Sequence, residues 1–367
     1  MLHPDLIYQI GVTLLPGIGD VLGKKLIAYC SGVEAVFKQN RNALEKIPNI
    51  GGKLVNAILN QNVLTRAEEE IKFIEEQNIL PLFYLEKNYP ARLKNCIDSP
   101  IMLYYKGNAE LNVAKVISVV GTRKASQYGK EMCEKIVEGL VEHDALIVSG
   151  LAYGIDTCAH KTSLDRQLKT VAVLGHGLDR LYPYLNRPLS EKIMDHGGLL
   201  TEFLSQSTPD RENFPKRNRI IAGMADATIV VEAAKKGGAL ITAEIANSYN
   251  RDVFAVPGRI GDTYSEGCNL LIKSNKAALI QSAKDIGYIL GWDVANKKPN
   301  KKQRELFVEL SLEEEKIVDV LQKNDTTGID TICAETKLPI SKIAAALLNL
   351  EFQGLVRALP GKVFKLD

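Results

Sequence analysis

The sequence predicts a doubly wound α/β core built on a parallel sheet, with a helical segment before it and a winged-helix domain after it. Three observations carry this expectation. From about residue 115, short apolar runs rich in β-branched residues alternate with stretches long enough for crossover helices, the pattern of a parallel sheet covered on both faces. Residues 1–80 lack such runs and read as helix throughout. Residues 309–367 fit three helical patterns followed by a hairpin.

The elements follow in chain order. Within 1–80, Leu15-Pro16-Gly17-Ile18-Gly19 and Ile47-Pro48-Asn49-Ile50-Gly51 each set a Pro and Gly turn before an apolar-periodic helix. The pair is similar to a helix-hairpin-helix, whose turn can offer N–H groups to a phosphate; the alternative is two tight turns in a small bundle. Residues 81–292 form the core, with strands expected at 116–120, 145–148, 170–174, 199–202, 228–231, 253–256 and 278–280. Residues 293–308 are a charged, proline-broken linker. The tail has helices at 313–323, 329–336 and 341–353, then a hairpin turning on Pro360-Gly361. Its expected recognition helix carries one basic residue, Lys342, in a module of net charge −3. A groove-reading helix needs side chains that reach base edges, so a protein-contact role is favoured over duplex contact.

Composition narrows the classes. With 367 residues, 46% apolar and 25% charged, the chain reads as a globular protein of two or three domains. No apolar run is long enough to span a bilayer. The start lacks the basic and small-residue signals of a leader peptide, so a cytoplasmic location is expected. The cysteines at 30, 96, 133, 158, 268 and 333 are too scattered for CxxC metal motifs and read as reduced, packed thiols; no metal or cofactor is expected. A net charge of +2 supplies no global field for nucleic acid, so any such binding must come from a local cluster.

Ligands of open parallel sheets bind beyond the carboxyl ends of the strands. Those ends read Gly121-Thr122-Arg123, Ser149-Gly150-Leu151-Ala152-Tyr153-Gly154-Ile155-Asp156, Gly175-His176-Gly177 and Pro257-Gly258-Arg259. Turns containing glycine let backbone approach an anion, which makes Gly121, Thr122, Ser149, Gly150, Gly154, Gly175 and Gly177 candidate phosphate contacts. No GxxxxGK[ST] or GxSxG motif occurs, and His160 and His176 have no evident nucleophile beside them, so catalysis is not expected. The densest polar cluster is Arg211-Glu212-Asn213-Phe214-Pro215-Lys216-Arg217-Asn218-Arg219. With a helix starting after Phe214-Pro215, Lys216, Arg217 and Arg219 would project from its first turn. Cations there oppose the helix dipole, and an anionic ligand would offset that cost.

These strings, with Tyr182-Pro183-x-x-Asn186, Gly238-Ala239-Leu240-Ile241-Thr242-Ala243, Arg251–Gly258 and Gly267–Ile272, resemble in order the motif series of the DprA/Smf family, bacterial DNA processing protein A. The three-part layout matches as well. The resemblance implies a cytosolic homodimer that binds single-stranded DNA, protects incoming strands in natural transformation, and helps load the RecA recombinase onto strands coated by single-strand binding protein. It implies that Arg123 and Arg211 line a positive pocket with Phe214 as the stacking aromatic; Lys216, Arg217, Asn218 and Arg219 complete the expected DNA-binding set. His176 departs from the small residue usual in its turn. Two rivals stand beside this reading. One is a nucleotide-binding enzyme of the phosphoribohydrolase, lysine-decarboxylase-like type, whose Pro-Gly-Gly-x-Gly-Thr loop the chain lacks, since Arg259 follows Pro257-Gly258. The other is a nucleotide-sensing regulator.

Overall fold

A computed structural model of the chain describes residues 4–292, 310–323, 326–353, 355–359 and 362–366. The chain divides into two units, at 1–294 and 295–367. The expected linker and the Pro360-Gly361 turn lie outside the described residues.

The first unit opens with six helices: α1 (Leu6–Leu14), α2 (Asp20–Cys30), α3 (Val33–Lys38), α4 (Arg41–Leu44), α5 (Gly52–Leu59) and α6 (Val63–Glu76). They bury one apolar face, including Ile10, Leu26, Val36, Leu44 and Ile74. That face is not closed on itself. Phe83, Ile101, Met102 and Tyr104 belong to the same buried cluster, and Leu178 and Leu204 pack on it, so helices and sheet share one continuous core across residue 80.

The two Pro-Gly turns have different surroundings. Gly17 takes φ +75° at the first, and the helix it feeds begins with Asp20, whose carboxylate accepts the Ile101 N–H at 2.8 Å and pairs with Arg219. An acid in the first turn suits the positive end of the helix. The second turn, before α5, has open space around Gly51 and Gly52.

The sheet has nine strands among the described residues: β1 (Leu80–Phe83), β2 (Met102–Gly107), β3 (Val116–Val120), β4 (Leu146–Ser149), β5 (Thr170–Val173), β6 (Gly197–Thr201), β7 (Ala227–Val230), β8 (Asp252–Ala255) and β9 (Ala278–Leu279). Their order is β1-β2-β6-β5-β4-β3-β7-β8-β9. Strands β3 to β9 are the seven apolar runs of the sequence, all parallel in the sheet. Strands β1 and β2 are additions the sequence reading lacks, and they pair antiparallel along the β6 edge. Prolines at 81, 90 and 100 break that segment into pieces too short to show a period. Helix α7 (Ala91–Lys94) sits between them.

Helices α8 (Gln127–Gly139), α9 (Ile155–Asp165), α10 (Arg187–His196), α11 (Asn213–Met224), α12 (Gly238–Ser248), α13 (Glu266–Lys273) and α14 (Ala283–Ile289) connect the strands. From β3 the chain winds outward through β4, β5 and β6, then returns to β3's other side with β7 and continues to β9. The reversal at β3 creates the crevice where such sheets bind ligands.

The second unit holds α15 (Leu312–Gln322), α16 (Ile329–Thr336), α17 (Ile340–Phe352) and a three-stranded sheet of β10 (Thr327–Gly328), β11 (Val356–Leu359) and β12 (Val363–Leu366) in the order β10-β12-β11. A capping box between Ser311 and Glu314 starts α15. Three helices packed on a short antiparallel sheet make a winged helix. Lys342, the one cation in the first turn of α17, is engaged by Glu313 at 2.6 Å, and Ile340, Leu348 and Phe352 are exposed along the same helix.

Candidate nucleic-acid interface

Beyond the ends of β3, β4, β5 and β7, a cleft of about 340 Å³ is lined by Gly121–Lys124, Asp156, Phe214, Asn218 and Lys236–Ala239, among others. Phe214 sits in the first turn of α11. Its ring centroid lies 5.5 Å from the Arg123 guanidinium carbon and 5.9 Å from that of Arg217, distances of cation–π contact. Tyr182 approaches from the other side of the cleft, with ring centroids 6.0 Å apart. Gly175 makes room for this arrangement: a Cβ there would stand 3.2 Å from the Phe214 ring.

The cations of the cluster divide sharply. Arg123 and Lys124 are exposed in the turn after β3, and Lys216 is exposed on α11. Arg211 is exposed in the turn that feeds α11, with no ion-pair partner among the described residues. Arg217 and Arg219 do not project to solvent as the sequence reading has them. The helix begins at Asn213, with Pro215 tolerated inside its first turn, so both arginines fall in the next turn and face the protein. Arg217 Nη1 donates to the carbonyl oxygens of Gly150 and Val173, each at 2.5 Å, and its Nε donates to Asn218 Oδ1 at 3.1 Å. Those carbonyls lie at the carboxyl ends of β4 and β5, where the ladder leaves acceptors unused. Burial lowers the Arg217 pKa to about 10, which leaves it charged at neutral pH. Arg219 pairs with Glu202 and, at 3.0 Å, with Asp20, tying α11 to β6's end and to α2. Asn218 is buried, and its amide donates to Gly238 O at 3.4 Å.

The glycine turns also differ from expectation. The Thr122 N–H donates to Glu232 O at 2.7 Å, and the Gly177 N–H to Ser207 O at 3.3 Å. Ser149 is buried, its hydroxyl donating to Val119 O at 2.6 Å. The turn after β4 holds an acid of its own: the Asp156 carboxylate accepts from the Ala152 N–H at 3.3 Å. Gly121 leaves room for Ile155, Gly150 for the Arg217 guanidinium, and Gly154, at φ +79°, for the backbone of Thr122 and Arg123. The N–H groups of Thr122 and Gly177 are thus already engaged within the protein.

Neither histidine is a free base. His176 is buried between Gly177 O at 2.9 Å and the Tyr182 N–H at 3.1 Å, which sets the course of the Tyr182 loop, and burial lowers its pKa. Burial lowers the pKa of His160 to about 3, and its Nδ1 meets the Thr170 hydroxyl at 2.7 Å. The sequence reading missed Tyr153, Tyr182, Lys124 and Lys236, all at the cleft. Tyr182 was legible only as part of a motif, and the two lysines carried no local signal.

A doubly wound sheet with a cationic, aromatic-centred cleft at its switch point defines a protein that binds an anionic ligand bearing planar groups. The chain belongs to the DNA recombination-mediator protein A family, DprA/Smf, whose model matches residues 81–290, while a DprA winged helix domain model matches 303–362. It is 33% identical to Protein Smf of Synechocystis sp. over 98% of both chains. The X-ray structure of DprA from Streptococcus pneumoniae superposes with a TM-score of 0.67 at 34% identity, covering 76% of this chain and 96% of that one. A DprA structure from Helicobacter pylori, described in terms of its single-stranded DNA binding mode, gives 0.53 at 27% identity over 59% of this chain and 96% of that one. Among the described residues, no helix is long and apolar enough to cross a membrane.

Proposed function

We propose that this chain binds single-stranded DNA at the cleft beyond β3, with Phe214 stacking on a base and Arg123 and Arg211 contacting phosphates. The observation that carries the reading is Phe214 held within cation–π distance of Arg123, at the mouth of a basic cleft. An aromatic beside exposed cations suits a strand whose base faces are free, and gives affinity with little sequence preference. The binding described for the Helicobacter pylori relative supports it. Lys124, Lys216 and Lys236 add exposed charge; Arg217, Asn218 and Arg219 serve by holding α11 and the Phe214 ring rather than by touching the strand. The site is one of binding and not of turnover, in keeping with two histidines that are buried with lowered pKa values.

In this reading the protein is a cytoplasmic homodimer that passes its strand to a RecA recombinase, displacing single-strand binding protein, and the winged helix contacts a protein through the exposed apolar side chains of α17. A gel-shift series comparing single-stranded and duplex oligonucleotides at several salt concentrations tests the central claim. Tighter single-strand binding that weakens with log salt is expected; equal or tighter duplex binding would overturn it.

A further inference from the structure

Away from the cleft, α8 and α9 pack side by side and bring two cysteines together. Cys133 of α8 is fully buried, and its Sγ lies 3.9 Å from the Ile155 carbonyl oxygen of α9. Cys158 of α9 is half-buried, with its Sγ 3.7 Å from the Lys130 carbonyl oxygen and 3.9 Å from Glu134 Oε1, both on α8. Each sulfur thus rests against the other helix within a turn of the other cysteine. Cys158 also lines an open groove of about 660 Å³ whose walls carry both cations (Lys130, Lys161, Arg166) and acids (Glu134, Glu138, Asp165), wide enough for a small oxidant to reach it.

The pair is electronically unequal. The neighbouring Cys133 thiol holds the Cys158 thiol below its ordinary pKa, while Cys158 and burial push Cys133 well above its own. Cys158 is thus the partly exposed and more readily ionised thiol of the two, and the buried Cys133 stands behind it in the place of a resolving thiol.

We propose that Cys133 and Cys158 form an oxidation site, which hydroperoxides convert to an intramolecular disulfide linking α8 to α9. The Cys158 thiolate attacks one oxygen of hydrogen peroxide. The O–O bond breaks, Cys158 becomes a sulfenic acid, and the departing hydroxide takes a proton to leave as water. The Cys133 sulfur then attacks the Cys158 sulfur, the S–O bond breaks, and the Cys133 proton leaves with the hydroxyl as a second water. Two thiols lose two electrons and one peroxide is reduced. The link closes directly behind the turn bearing Arg123, because α9 opens at Ile155, whose N–H donates to Thr122 O at 3.2 Å.

Mass spectrometry on the full chain tests the site without reference to DNA. Trypsin places the cysteines on separate peptides, 131–135 and 136–161. After brief hydrogen peroxide treatment and alkylation, these peptides should appear joined, and dithiothreitol should separate them. Cys133→Ser should leave Cys158 as a sulfenic acid that dimedone traps, and Cys158→Ser should abolish the linked species. Two unlinked alkylated peptides in the treated wild-type protein would overturn the proposal. So would oxidation of Cys158 to a sulfinic acid with Cys133 still reduced.

Discussion

The guanidinium of Arg217 lies 5.9 Å from the Phe214 ring centroid while Nη1 of the same side chain binds the carbonyl oxygens of Gly150 and Val173. One buried cation thereby closes the carboxyl ends of two strands and supports the aromatic at the centre of the cleft. It is the joint between fold and site.

Removing that joint should cost stability first. Arg217→Met leaves two buried carbonyls without their donor, at ~1–3 kcal/mol each, so the thermal midpoint should fall by many degrees. Arg123→Ala, at an exposed position, should melt like the wild type. If thermal melts of the two variants coincide, Arg217 does not hold the strand ends.

Single-strand affinity should respond in the opposite order of cause. Arg123→Ala and Arg211→Ala should each weaken binding and flatten the plot of log affinity against log salt by roughly 0.7, the contribution of one neutralised phosphate on a single strand. Fluorescence anisotropy from low to moderate salt measures the slope. Unchanged slopes in both variants place the phosphate contacts elsewhere.

Phe214→Ala isolates stacking. The loss should be ~1–3 kcal/mol, or roughly 5–150-fold in affinity, with the salt slope left as in the wild type because no counterion is involved. Gly175→Ala makes the companion test, since its Cβ would press on the Phe214 ring at 3.2 Å. It should weaken binding in the same salt-independent way while the fold is kept. Wild-type affinity in both would remove the aromatic from the site.

Asp156 predicts a pH effect. Burial raises its pKa from 3.8 to about 6, against the opposing pull of Arg217 and the N–H groups around it. Between those values the folded protein holds a proton that the unfolded chain has lost, so this group's contribution to stability is full below pH 4 and falls as pH rises through 6. Asp156→Asn is neutral throughout, so its stability relative to wild type should climb by up to about 3 kcal/mol between pH 4 and pH 7. Urea melts across that range check it, and taking the difference between the two proteins removes the contributions common to both. A difference that is flat with pH would mean that Asp156 stays ionised.

Most of the fold was written locally. Continuous runs such as Val116–Val120 and Ala227–Val230 are buried on both faces, so their apolar character is visible without any partner. The capped α15 and the hairpin strands of the winged helix follow from local pattern as well. Strands β1 and β2 escaped because their pairing is with a distant strand, β6, and their own sequence is broken by proline.

By itself the sequence determined the parallel sheet, the winged helix, the strand ends where a ligand would meet the protein, and the cluster from Arg211 to Arg219. Only the tertiary structure decided which of those cations face solvent. Starting α11 at Asn213 turns Arg217 toward the strand ends and Arg219 toward Asp20 and Glu202, while Arg211 and Lys216 stay outside. The physical reason is that a charged side chain has no fixed destination in its own sequence. The Gly150 and Val173 carbonyls and the Glu202 carboxylate are brought together only when the sheet has formed, and a buried guanidinium is stable only where such acceptors converge.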